Sequence, residues 1–184
     1  VEKMLEGDSD VLWPGKPLYY AKTSGTTSGV KYIPISKESM PAHIQAARDA
    51  LLNYIHQTGN TDFVKGKQIF LQGSPILDKK GDSTFGRLSG IVAHYVPKYL
   101  QKSRMPSWDT NCIEDWETKI DAVVEETIAE NMTLIAGIPS WVQMYFEKLI
   151  EKSKKPVGEL FKNFSLFVYG GVNYEPYRPL FEEL

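Results

Sequence analysis

Five hydroxyls, two glycines and one ammonium fall within nine residues at Thr23-Ser24-Gly25-Thr26-Thr27-Ser28-Gly29-Val30-Lys31. That mixture suits an anion. Gly25 and Gly29 permit positive φ, so backbone N–H groups can converge on one point. The Ser and Thr hydroxyls donate to phosphate oxygens, and Lys31 supplies a point charge for a polyphosphate. The pattern is not a Walker A loop, in which four residues separate the glycines and Lys follows the second directly. Here three residues separate them, Val30 precedes Lys31, and a strand-like stretch follows. The segment reads as a flap between two strands. Composition alone leaves a second reading open, a polar hairpin turn that binds nothing.

Fewer residues elsewhere have chemical promise. Arg48 lies mid-way along the helix expected after the loop, and reads either as a surface arginine near Asp49 or as a partner for a substrate carboxylate. His43, His56 and His94 have no neighbours at metal-ligand spacing; His94 is either a satisfied histidine or part of a ligand pocket. Neither Ser74 nor Ser140 matches a Gly-x-Ser-x-Gly nucleophile elbow. Asp115, Glu117, Glu125 and Glu126 fall off the apolar stripe of their helix and read as solvated. Gly170-Gly171 reads as a strand-to-helix turn.

Strands are expected at Leu18–Lys22, Val30–Ile35, Lys67–Gln72, Thr133–Gly137 and Leu166–Tyr169. Apolar residues at helical spacing predict helices over Lys37–Gln57, Glu114–Asn131 and Ser140–Lys152. Ser36 is the expected N-cap of the first and Gly59 its stop. Gly73–Thr84 reads as a loop, Gly86–Val96 as an ambiguous stretch with a short helix, and Pro176 as the opening of a last helix. Strands and helices alternate in the later half, which predicts an α/β fold with a mainly parallel sheet flanked by helices. In such sheets ligands sit at the carboxyl ends of strands. Both glycine-containing loops, Thr23–Gly29 and Gly170–Tyr174, follow strand candidates.

The chain has 184 residues, 42% hydrophobic and 12% aromatic, with a net charge of -2. This describes a globular domain. A pI near 6.0 offers no basic face for nucleic acid. No apolar run is long enough for a membrane span. The single cysteine, Cys112, fits a reducing compartment, and a cytoplasmic location is expected. The abrupt ends suggest a piece of a longer protein; its oligomeric state is left open.

The loop resembles the phosphate loop of the adenylate-forming enzyme superfamily. Trp13-Pro14-Gly15-Lys16-Pro17, Tyr32-Ile33-Pro34, Gly137-Ile138-Pro139-Ser140-Trp141 and Tyr169–Arg178 narrow the likeness to the auxin-responsive acyl-acid amido synthetase family, particularly its bacterial members. The resemblance implies that residues 1–184 form one partial adenylation domain, from the large N-terminal domain of such an enzyme. It implies ATP, assisted by Mg²⁺, activating a carboxylic acid as its acyl-adenylate, with an amino acid then taking the acyl group as an amide. Thr23, Ser24, Gly25, Thr26, Thr27, Ser28, Gly29 and Lys31 would hold the phosphates, with Lys31 as the catalytic cation. Gly170, Gly171, Asn173 and Tyr174 would line the nucleotide site, although a tyrosine at Tyr174 is equally suited to the core. The family's acidic nucleotide motif is expected beyond Gly170-Gly171 and is not present before Leu184. The same residues admit a coenzyme A thioester ligase, or a nucleotide-binding module without catalysis.

Overall fold

The computed structural model describes residues 1–23 and 29–183. The strands are β1 Tyr19–Lys22, β2 Tyr32–Ile35, β3 Lys67–Phe70, β4 Asp78–Lys80, β5 Ser83–Arg87, β6 Arg104–Met105, β7 Met132–Gly137 and β8 Leu166–Tyr169. The helices are α1 Glu2–Leu5, α2 Met40–Thr58, α3 Leu88–Ala93, α4 Lys98–Gln101, α5 Trp108–Cys112, α6 Trp116–Thr127, α7 Pro139–Ser153, α8 Val157–Leu160 and α9 Arg178–Glu183. The chain forms two compact units, Val1–Gly59 with Gly73–Val96, and Asn60–Gln72 with Pro97–Leu184.

The first unit is built on a sheet of order β2-β1-β5-β4. β1 runs antiparallel to β2 and parallel to β5, and β4 and β5 form an antiparallel hairpin. Period-two alternation gives the sheet two apolar faces. Tyr20 and Phe85 stack at 5.1 Å over Met4, with Tyr32 edge-on. Ala21 faces the other way, with Ile35, Met40 and Ile91.

The hairpin corrects the expectation of a loop over Gly73–Thr84. Its turn is two residues, Gly81-Asp82, with Gly81 at φ +57° and Lys80 paired to Ser83. Such turns favour Gly because they require positive φ. Ser36 is not the helix cap. It closes the turn before α2, accepting from Ser39 N at 3.1 Å, and the helix starts at Met40 with Pro41 in its first turn. Gly59 stops the helix as expected, at φ +68°. The apolar stripe of α2 is only partly used, with Met40 buried and Ala47 exposed.

The second unit carries a fully parallel sheet of order β6-β3-β7-β8, flanked by helices. Ile120, Val123 and Val124 of α6 pack with Val142, Tyr145, Phe146 and Leu149 of α7 on Ile69 and Ile135 of the sheet. Tyr145 is wholly buried, yet its hydroxyl has a partner. Thr127 Oγ1 donates to Val123 O and so accepts from Tyr145 Oη, both at 2.7 Å. The last helix opens with a 3-10 turn, Glu175–Tyr177, before α9. The fold is α/β, as the strand–helix alternation predicts. No helix among the described residues is long and apolar enough to cross a membrane.

Candidate functional site

The carboxyl end of β1 delivers the chain into the hydroxyl-rich loop. Thr23 N donates to Lys31 O at 2.9 Å, and Lys31 N donates to Thr23 Oγ1 at 3.2 Å. These two bonds pinch the root of the loop and bring Thr23 and Lys31 together. The Thr23 hydroxyl therefore has a structural duty as an acceptor. Gly29 sits at φ +78°, a conformation that L side chains rarely adopt. Lys31 is exposed. Ser24, Gly25, Thr26, Thr27 and Ser28 lie outside the described residues.

In the same unit, Arg48 donates to Gln45 Oε1 at 2.5 Å, and Gln45 donates in turn to Asp49. Arg48 and Lys37 line a cavity of about 500 Å³ whose other walls include Leu18, Met40, Ile44 and Tyr95. Tyr95 donates to the Tyr19 hydroxyl at 3.0 Å. Burial, then the bond and proximity to Tyr19, push the Tyr95 phenol up to about 12. The Tyr95 hydroxyl thus stays neutral at any physiological pH. His94 is held through Nε2, 2.8 Å from Pro75 O.

In the second unit, Gly170-Gly171 follows the carboxyl end of β8. Gly171 has φ +85°, and a side chain there would meet Ile138 at 3.7 Å. Asn173 Oδ1 accepts from Glu175 N at 3.2 Å, which shapes the turn into the 3-10 segment. Tyr174 stacks on Tyr169 at 4.5 Å, and the Arg178 guanidinium lies over the Tyr174 ring, 5.3 Å from its centroid. Arg178 is also paired with Glu175, which holds that carboxyl below its ordinary value. Gly170, Gly171 and Asn173 are exposed, and Tyr174 is half-buried.

Four arrangements were not anticipated. Trp116 and Trp141 stack at 4.3 Å where α6 and α7 begin. Lys119, 3% exposed, donates to Gln72 O at 3.0 Å and Asn111 O at 2.6 Å. Glu126 is not simply solvated. It accepts from Ser107 N, Ser107 Oγ and Thr110 Oγ1 at 2.6–2.7 Å, pinning α5 to α6. Burial pushes its carboxyl up, and these three donors outweigh that and hold it below its ordinary value. Asp115 likewise caps α6, accepting from Thr118 N at 2.9 Å. Helical phase alone carried no sign of any of these partners.

The profile of the GH3 family N-terminal domain matches residues 1–184. The chain belongs to the GH3 family. This is the auxin-responsive acyl-acid amido synthetase family, whose members are ATP-dependent. The GH3 match takes in the first twelve residues, ahead of the motifs that carry the resemblance. None of the curated proteins compared with the chain is a match. Among the described residues of this GH3 domain, no three His, Cys, Asp or Glu side chains come together as a metal site.

Proposed function

We propose that the chain is part of the adenylating domain of a cytoplasmic, bacterial-type acyl-acid amido synthetase, and that both compact units belong to that one domain of a longer protein. The observation that carries the reading is the pinched loop. A hydroxyl-rich segment leaves the carboxyl end of β1, closes on itself through Thr23 and Lys31, and presents an exposed ammonium at its root, within a GH3 domain.

In the proposed reaction a carboxylate oxygen attacks the α-phosphorus of ATP, and the bond from that phosphorus to the pyrophosphate oxygen breaks. The products are acyl-AMP and pyrophosphate. The amine of an amino acid then attacks the acyl carbon, the bond to AMP breaks, and the amine sheds a proton as the amide forms. Charge drives both the binding and the first step, so the protein's task is to neutralise the triphosphate and hold the attack in line. We assign neutralisation to Lys31 and to the loop of Thr23, Ser24, Gly25, Thr26, Thr27, Ser28 and Gly29. Mg²⁺, which commonly binds through substrate phosphates with one or two carboxylates, would add to that neutralisation.

Arg48 suits the acid. With Lys37 it places positive charge on an otherwise largely apolar cavity, which fits an amphipathic carboxylate. Gly170, Gly171, Asn173 and Tyr174 are assigned to the nucleotide, with the Tyr174 ring offering a face to the base. The test is isotope exchange of pyrophosphate into ATP by the full-length protein. Exchange that depends on an added carboxylic acid is the expected result. No exchange across a broad panel of acids, on folded protein, refutes adenylation.

A further inference from the structure

We propose that Arg87 is a second polyphosphate-binding cation, acting beside Lys31 at the root of the loop; this rests on the adenylation reading above. Arg87 is the last residue of β5, which runs parallel to β1, and it is in register with Lys22, the last residue of β1. Neighbouring strands lie about 4.8 Å apart. Arg87 therefore stands one strand from the point where the chain enters the loop at Thr23. β2 returns on the other side of β1, with Tyr32 opposite Lys22. The root of the loop is thus flanked by Lys31 on one side and Arg87 on the other, at the carboxyl ends of two parallel strands, where ligands of α/β sheets bind.

The surroundings of Arg87 leave its charge available. Lys22 is ion-paired with Asp78, and Lys16 lies 3.8 Å from Asp82. Arg87 is exposed, and its guanidinium has neither an ion pair nor a hydrogen bond among the described residues. Its stem is nonetheless held, because the Cδ lies so close over Gly73 that a methyl there would press on it. A side chain propped by packing but not neutralised is suited to receive an anion. The guanidinium fork matches two phosphate oxygens at once.

The test is calorimetric titration of the full-length protein with ATP, tripolyphosphate and AMP. Arg87→Met keeps the stem on Gly73 and removes the charge; Arg87→Gln is the second variant, and circular dichroism confirms folding. Lys80→Met, on the exposed edge strand β4, controls for a simple loss of net charge. The expected result is ATP and tripolyphosphate binding weakened about 10- to 100-fold in the Arg87 variants, the scale of a lost charge-assisted contact. AMP binding and Lys80→Met should match the wild type. Wild-type affinity for tripolyphosphate in a folded Arg87 variant overturns the role of Arg87 and leaves adenylation standing, as does an equal loss in Lys80→Met. Failure of the wild-type full-length protein to bind ATP or tripolyphosphate defeats both readings.

Discussion

Gly66 offers a sharp test of how the parallel sheet of the second unit is seated. It precedes β3, where Lys67 N donates to Asn131 O at 2.8 Å and opens the pairing with β7. A methyl at Gly66 would collide with that same carbonyl and lie 2.5 Å from Thr133 Cγ2. Neither neighbour gives easily. The Asn131 carbonyl is backbone, and Thr133 is 1% exposed, its hydroxyl committed to Phe63 O at 2.8 Å. Overpacking costs about 1–3 kcal/mol. Losing the Lys67 bond adds about 0.5–1.5 kcal/mol. Gly66→Ala should therefore destabilise by roughly 2–4 kcal/mol, a fall in Tm on the order of 5–15 °C for a chain of this size. Gly158 is the control, since a methyl there meets nothing within 4 Å and the residue is helical. Gly158→Ala should hold or raise Tm, by about 0.4–1 kcal/mol of stability. Thermal melts followed by circular dichroism decide it. A Gly66→Ala melt within about 1 °C of wild type would show that β3 and β7 are not in this register.

Lys31→Ala in the full-length enzyme should weaken use of ATP about 10- to 100-fold while leaving the melt unchanged, because Lys31 is exposed; an unaltered KM for ATP in pyrophosphate exchange removes Lys31 from the site. Glu126 should give the second unit an acid-sensitive limb. Its folded value lies below the ordinary 4.5, so its contribution is complete above that value and is lost as pH falls through the lower folded one. Urea midpoints of wild type and Glu126→Gln should differ at pH 7 and converge in acid, and a gap that persists undiminished to about pH 3 refutes the sign. Tyr145→Phe should cost about 1 kcal/mol, since Thr127 keeps its bond to Val123 O, whereas Leu149→Ala, at a wholly buried position, should cost about 2–5 kcal/mol; equal urea midpoints for the two variants would contradict the packing.

The elements read most directly from the chain are those whose burial follows their own periodicity. α6 and α7 carry apolar stripes that meet each other and the sheet, and β7 is an apolar run because a parallel strand inside the sheet is covered on both sides. β4 escaped notice for the opposite reason. Asp78, Lys79 and Lys80 are all exposed on a sheet edge, so no alternation marks them. The charges that hide the strand also guard it, since charged side chains deter edge-to-edge pairing. The Gly81-Asp82 dipeptide was the available cue. In α2 the period was right and the burial was not, because spacing shows which residues share a face and not whether anything covers that face.

The candidate site divides along the same line. Thr23–Lys31 is contiguous, so composition alone raises it and family resemblance names it. Glu126 meets Ser107 and Thr110 across 16 to 19 residues, and Lys119 reaches back 47 residues to Gln72. No window on α6 contains those partners, so the helix could be phased correctly while the duties of both side chains stayed hidden. Arg87 is the extreme case. Its claim rests on sharing a register with Lys22 across a parallel pair, and parallel pairs are joined by long crossovers. A cation placed beside a phosphate loop by a neighbouring strand therefore has no motif of its own. It becomes visible only when the strand order is known, and its free charge only when the pairing of Lys16 and Lys22 is known as well.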